Sequence, residues 1–313
     1  MHSTNKRSQE FFDKIKKRIP ENIKIKKVTN SNKELAEKYL KSRKNLEITF
    51  NPIQLHFGEN WDYEKYPLGY LMMNTKNNFI VGFLETIFSK RIINQKEVIC
   101  CSLAQWYVEK EFRLYSYAFF FPLLEKRIII SATAPRKSLI GFFKKFNFDI
   151  QSLKYSAGFG INFLSFFSQN YKRFEILDKE IDILNELNKK DKKIYQDHKK
   201  FNCINFVIKD KTQKTESLYF LLKRKKRYNL NVLDILYISN INECKKYAPE
   251  ICTKICLRSK NIFIGQIYSN DNDKLKYNPN FVIKTVRKLF PFKKINDESF
   301  SDYLYSEQIM FND

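Results

Sequence analysis

The chain has 313 residues and a formal charge of +23 at pH 7, from 57 lysines and arginines against 34 acids. That length exceeds the roughly 100–200 residues of an ordinary single domain and calls for two domains or one large one. Lysine makes up 45 of the 57 cations, and Asn, Ile, Phe and Tyr are abundant beside only 7 Gly, a pattern that AT-rich codons produce by themselves. The charge is therefore read as compositional, and no nucleic-acid partner is expected from it, since nucleic-acid readers lean on arginine.

Residues 1–22 place Phe11, Phe12, Ile15 and Ile19 among Lys14, Lys16, Lys17 and Arg18, an amphipathic accessory helix ended by Pro20. Packing on the adjoining domain is its expected role, with weak contact to an anionic membrane surface as the other reading. Ile23–Val28 alternates as a half-buried strand does, and Ser31 or Asn32 caps a helix through Glu34–Leu40. Asn51–Tyr70 is irregular, broken by Pro52, Gly58, Pro67 and Gly69, and gathers His56, Glu59, Trp61, Asp62 and Glu64. Strands follow at Tyr70–Met73, Phe79–Ser89 and Glu97–Val108, an antiparallel meander. A helix is expected over Tyr115–Lys126 with a kink at Pro122, then a short buried strand Arg127–Ala132 and a helix from Ala134-Pro135 to Phe146.

From about Tyr171 the same order returns. A helical pattern over Glu175–Lys200 precedes strands Cys203–Ile208, Ser217–Leu222 and Asn231–Ser239, a helix Glu243–Leu257 and a strand Ile262–Ile267. The expected division is an accessory helix over 1–22, a first domain over 23–170 and a second over 171–313. Cys244, Cys252 and Cys256 lack C-x-x-C pairing and a nearby histidine, so they read as buried thiols rather than metal ligands. The run Lys223–Arg227 reads as a solvated strand end, with a grip on phosphate as the alternative, and His198 receives no role. No secretory signal follows Met1–Arg7, and the apolar runs 114–124 and 158–167 fall short of the ~18 residues of a spanning helix. A cytoplasmic protein with reduced thiols is the expectation.

The strand-to-helix passage at Tyr107-Val108 and Phe112-Arg113, ending on the small Ala118, resembles the phosphate turn of the GNAT superfamily of acyl-CoA N-acyltransferases. In that family a strand closes on a hydrophobic-Val-x-x-x-hydrophobic-Arg pattern and an Arg-x-x-Gly-x-Gly/Ala turn holds the coenzyme A pyrophosphate. Ser116 stands at the first glycine. Leu139–Phe148 resembles the family's closing helix, with Phe143 at its tyrosine and Asn147 at its glycine. The resemblance implies an α/β (α+β) fold of two GNAT-like halves, each a mixed, mostly antiparallel sheet flanked by helices, the second lacking the arginine turn.

It further implies transfer from acetyl-CoA or another acyl-CoA to a small-molecule amine, an amino sugar or sugar nucleotide among the candidates. Tyr107, Val108, Arg113, Leu114, Tyr115, Ser116, Tyr117 and Ala118 would hold the cofactor, and a backbone N–H near Gln105–Tyr107 would receive the oxyanion. The candidate bases are Glu85, His56 and Glu59, and the candidate acid is Ser131, because Phe143 cannot donate a proton. For Glu85 the plainer reading is a pair with Lys90 or Arg91. Two other readings stay open: a catalytically inactive acyl-CoA-binding or scaffolding protein, and a basic nucleic-acid-binding protein.

Overall fold

The computed structural model describes residues 14–42, 61, 66–93, 96–124, 128–132, 135, 137–212, 214–227, 229–268, 272, 274–276, 282–293 and 304. The chain divides into two units, the first built mainly from Met1–Ile150 and the second mainly from Gln151–Leu289. Each is a mixed sheet flanked by helices.

In the first unit, β1 (Ile23–Val28), β2 (Gly69–Asn74), β3 (Phe79–Ile93) and β4 (Lys96–Val108) form an antiparallel meander in sequence order. A 3-10 helix (Lys110–Phe120) and α2 (Phe121–Leu124) then carry the chain to β5 (Ile129–Ala132), which pairs parallel with β4. The helix α1 (Lys33–Ser42) packs Ala36 and Tyr39 on one face of the sheet, against Val28, Leu71 and Phe83. On the other face Phe119, Phe120, Phe121 and Leu123 join Leu84, Phe88 and Ile130 in a larger core, with Ile15 and Ile19 packed at its edge. Those two isoleucines therefore face protein, while Phe11 and Phe12 lie outside the described residues. Phe292 and Lys293 of β12 (Val282–Lys293) pair antiparallel with Ser131 and Ile130.

The helix expected at Tyr115–Lys126 starts earlier, at Lys110, and its long first part is 3-10 rather than α. Pro122 is the second residue of α2, next to the point at which the 3-10 helix passes into α-helix. The next helix, α3 (Ile140–Lys145), ends as the sequence allows: Asn147 takes φ 60°, its N–H bonds Lys144 O at 3.0 Å, and Phe148 N–H bonds Phe143 O at 3.1 Å. The rings of Phe143 and Phe148, 5.1 Å apart, complete this left-handed helix end.

The second unit has strand order β6-β11-β10-β9-β8-β7, from β6 (Asp149–Phe159), β7 (Phe174–Leu177), β8 (Ile204–Asp210), β9 (Leu218–Arg227), β10 (Leu230–Ile238) and β11 (Phe263–Tyr268). The run β7 to β10 is again an antiparallel meander, and β10 pairs parallel with β11 across α7 (Ile241–Lys246) and α8 (Ala248–Ser259). β6 bonds β11 antiparallel, Phe159 opposite Phe263, and the main span of the second unit begins at Gln151. The helical pattern over Glu175–Lys200 resolves into β7, α5 (Glu180–Glu186) and α6 (Lys189–His198), because Asn188 caps a new helix by accepting from Asp191 N–H.

Cys244, Cys252 and Cys256 lie in the core beneath β8–β11, with burial pushing the thiols of Cys244 and Cys256 up to about 12. Among the described residues no cluster of three metal-ligating side chains occurs, and no helix is long and apolar enough to cross a membrane. Lys223 and Lys225 correct the solvated reading of their run: they are 2% and 3% exposed. Strand alternation turns both inward with Arg227, which pairs with Asp234, itself an acceptor from Tyr155 OH at 2.8 Å. A Cβ at Gly265 would meet Asp234 Oδ1 and Tyr155 OH at 2.5 Å, so only glycine leaves room for this network. His198 is fully buried and its ring bridges the carbonyl oxygens of Ile194 and Leu304, a structural tether.

Candidate functional site

Among the described residues β4 and β5 pair from Cys100↔Ile129 to Leu103↔Ala132, and β4 then runs on for five residues, Ala104–Val108. Just past Leu103 β4 bulges: Thr86 faces Leu103 and Leu84 faces Trp106, leaving Ala104 and Gln105 opposite Glu85. A bulge bends and twists its strand, and the β4 edge beyond Leu103 on the β5 side is the β4/β5 notch.

The backbone of that strand end is aimed. Glu109 N–H bonds Val81 O at 2.9 Å, toward β3. Counting back by alternation, Tyr107 also addresses β3, while the N–H groups of Trp106 and Val108 point to the β5 side. Arg113 agrees with this count, since its Nε reaches Val108 O at 3.4 Å from that side. Within the Gln105–Tyr107 segment, Trp106 is thus the residue whose N–H turns away from β3.

The 3-10 helix begins directly after this strand end. Its first hydrogen bond is Phe112 N–H to Glu109 O, and the Glu109 side chain does not cap it. The N–H groups ahead of that bond, on Lys110 and Glu111, are the orphans of the helix start, with the side chains of Lys110 and Arg113 exposed beside them. These N–H groups lie ahead of most of the residues expected to contact phosphate. Leu114, Tyr115, Ser116, Tyr117 and Ala118 lie inside the helix, where a 3-10 N–H answers the carbonyl three residues back. Ala118 is buried in the core, Tyr115 and Tyr117 pack on its edge, and Leu114 points to solvent. Of the named set, Arg113 and the strand end Tyr107-Val108 border the notch. The motif reading misjudged where the helix starts, and the polar pair Glu109-Lys110 after Val108 was the available signal.

Three buried polar residues line one face of the sheet near the bulge. Phe83 and Tyr107 mark the α1 face, whereas Leu84, Phe88, Cys101, Leu103, Ile130 and Ala132 mark the other. Alternation therefore assigns Glu85, Ser102 and Ser131 to the α1 face, at 2%, 3% and 2% exposure. Ile87, Ser102 and Ser131 form one row across β3, β4 and β5. Two strand spacings of about 4.8 Å separate Ile87 from Ser131, and Glu85 lies two residues further along β3, about 12 Å from Ser131 at the backbone. The candidate base and acid thus share a face. Lys90, offered as a partner for Glu85, pairs with Glu97. His56 and Glu59 lie outside the described residues. Phe143 is 1% exposed on the opposite face, among the rings of Phe120, Phe142 and Phe148.

The first unit also holds a pocket of about 250 Å³ toward β1, lined by Ile19, Ile23, Ile25, Lys27, Tyr70, Ala118, Phe121 and Pro122. Its place at β1 and β2 sets it apart from the notch.

The second unit repeats the geometry without the open helix start. β10 pairs with β11 up to Ile235↔Gln266 and then bulges at Leu236, the same succession as in β4. Here, however, Asn240 caps α7 by accepting from Glu243 N–H at 3.0 Å. Its helix start is closed by its own side chain.

No protein-family model and no curated sequence matches the chain. Solved structures do. A GCN5-related N-acetyltransferase from Anabaena variabilis is similar over 87% of this chain and 72% of its own, at 12% identity and a TM-score of 0.55. One from Kribbella flavida is similar over 86% and 70%, at 9% identity and 0.54. A GCN5-related glucosamine N-acetyltransferase region of a fungal multi-domain β-N-acetylglucosaminidase gives 0.57 at 11% identity, over 88% of this chain and 38% of that one. The likeness establishes the fold, the one that these GCN5-related N-acetyltransferases share.

Proposed function

We propose that this chain, with its GNAT fold, is an acyl-CoA-dependent N-acyltransferase whose thioester site is the β4/β5 notch of the first unit. The carrying observation is the coincidence at one strand end of a bulge, an inward-facing Trp106 N–H and a helix start without a side-chain cap. The second unit has the bulge but caps its helix with Asn240, which favours the first unit as the cofactor site.

In this reading the pyrophosphate sits at the N–H groups of Lys110 and Glu111 with Arg113 beside it, and the thioester carbonyl meets Trp106 N–H. The acceptor nitrogen attacks that carbonyl. The C–N bond forms, the C–S bond breaks, the amine proton leaves to Glu85, and the thiolate is protonated through Ser131 or solvent. A thiolate is a weakly basic leaving group, so a poor acid slows this step without blocking it. The acceptor is a small-molecule amine; the fungal neighbour's glucosamine specificity makes an amino sugar the first to try.

A thermal-shift series with acetyl-CoA, longer acyl-CoAs, free CoA and inorganic pyrophosphate tests the site. A ligand at a hundred times its Kd adds about 2.7 kcal/mol, so CoA species should raise Tm well beyond pyrophosphate. Arg113→Ala should weaken CoA about tenfold, ~1.4 kcal/mol, with the fold intact. No shift from any CoA species at millimolar concentration would sink the proposal.

The apolar surroundings of Phe143 favour a second reading, an acyl-CoA binder without catalysis. Glu85→Gln separates the two. In an enzyme it should lower turnover by about 10²–10⁴ and keep the CoA-induced shift, whereas a binder has no turnover to lose.

A further inference from the structure

The five residues Phe163–Phe167 invert the usual arrangement of a surface turn. Phe163 and Leu164 are each 77% exposed and Phe167 is 88% exposed, while Ser165 between them is buried. Apolar side chains of this size normally remove themselves from water. Here they do not, and the reason is not a loose chain.

The turn is held by polar groups at both ends. Asn162 accepts from Leu164 N–H at 3.0 Å, and its own N–H bonds Thr253 Oγ1 at 2.9 Å. Thr253 in turn donates to Pro249 O at 2.7 Å, within α8. Past the turn, Ser168 donates to Glu250 Oε1 at 2.9 Å and caps α4 (Gln169–Arg173) by accepting from Asn170 N–H. Phe166 leans on Tyr171, ring centroids 5.1 Å apart, which stiffens the base. The exposed tip is therefore built and braced rather than left over.

Its surroundings are basic. Lys254 Nζ lies 3.8 Å from the centre of the Tyr171 ring, and Lys172 is exposed one residue on. Lys211 is near enough to Lys254 to help push its ammonium pKa down, after the larger effect of burial, with Glu175 acting the other way. Of the other acids here, Asp210 is paired with Arg173, and Glu250 accepts from Ser168. An apolar tip rimmed by lysines matches the boundary of an anionic bilayer, where tails lie beneath phosphates. A second copy of the chain is a poor occupant, because it brings a further +23 to the contact.

We propose that the Phe163–Phe167 turn is a membrane-surface wedge: Phe163, Leu164 and Phe167 enter the headgroup boundary of an anionic bilayer, and Lys172, Lys211 and Lys254 contact lipid phosphates. The site is separate from the notch of the first unit and does not depend on the activity assigned there.

Flotation of the full chain with phosphatidylcholine vesicles, with and without phosphatidylglycerol, tests it. The wild type should float with the phosphatidylglycerol vesicles and only weakly with phosphatidylcholine alone. Phe163→Ser combined with Phe167→Ser should reduce partitioning by about tenfold or more with Tm unchanged. What binding remains in that variant should vanish at high salt, as simple charge adsorption does. Phe79→Ser, at a 66% exposed phenylalanine of the first unit, should change nothing. The proposal is overturned if the wild type ignores both vesicles, or if the double variant partitions like the wild type. It is equally overturned if the free protein is a dimer that Phe167→Glu dissociates, since a second copy then covers the tip.

Discussion

Phe143 stands where the resemblance drawn from the sequence implies a tyrosine, and introducing that phenol is an obvious substitution to make. Its surroundings argue against a gain: the ring is buried between Phe120, Phe142 and Phe148, with apolar partners on each side. Phe143→Tyr would bury a hydroxyl with no acceptor and should cost about 1–3 kcal/mol. Chemical denaturation should read that loss, and acyl transfer should not rise. Asp210 is the opposite case, a buried charge fully answered. Arg173 reaches it with Nε at 2.8 Å and Nη2 at 2.5 Å, and Thr212, Lys214 and Thr215 supply backbone and hydroxyl donors. The guanidinium first, and then the Thr212 and Thr215 donors, hold the carboxyl well below its usual range against the opposing effect of burial. Because the folded value is depressed, the stabilisation is fully present above the unfolded value of about 3.9 and is lost as pH falls below it. Asp210→Asn should cost about 3–5 kcal/mol at neutral pH, since it leaves Arg173 without its counter-charge. The gap between variant and wild type should narrow in denaturation curves taken well below pH 4.

At the scale of elements, helix ends carry much of the design. Asn147 and Lys260 both adopt left-handed backbone, at φ 60° and 54°. Asparagine tolerates that conformation, and lysine does so only at a cost of about 1–2 kcal/mol. Lys260 closes α8, its N–H bonding Cys256 O and Leu257 O, and its side chain is exposed. Lys260→Gly removes the strain, loses no packing and gives back part of the gain as chain entropy, so stability should rise by about 0.5–1 kcal/mol. A lower Tm for that variant would mean the lysine side chain holds something at the helix end. The two crossover helices show how one architecture takes different roles. Asn240 caps the one in the second unit, and Glu109 leaves the one in the first unit without a side-chain cap.

At the scale of the whole molecule, the charge of +23 is the property most open to misreading. If it reflects codon usage, duplex DNA should bind weakly, without sequence preference, and be released near physiological salt. A filter-binding series across salt concentration reads this directly. Tight binding that survives high salt and prefers one sequence or structure would restore the nucleic-acid reading.

The sequence by itself determined what is local. The strand-forming apolar runs Phe79–Ser89 and Glu97–Val108, the caps at Asn188 and Asn240, and the left-handed Asn147 follow from side-chain sterics and hydrogen bonding within a few residues. The repeated order of meander, helix and strand was legible for the same reason. Three things were decided only by tertiary contact. β6 alternates at Leu153, Tyr155 and Ala157, yet which sheet it joins depends on β11, more than a hundred residues later. The start of the 3-10 helix depends on Val81 holding Glu109 at the end of β4, so spacing within the motif could not place the free N–H groups. Glu85 and Ser131 share a face only because β4 pairs with both their strands in the register that aligns Ile87, Ser102 and Ser131, and pairing register is a property of the folded sheet rather than of any one strand.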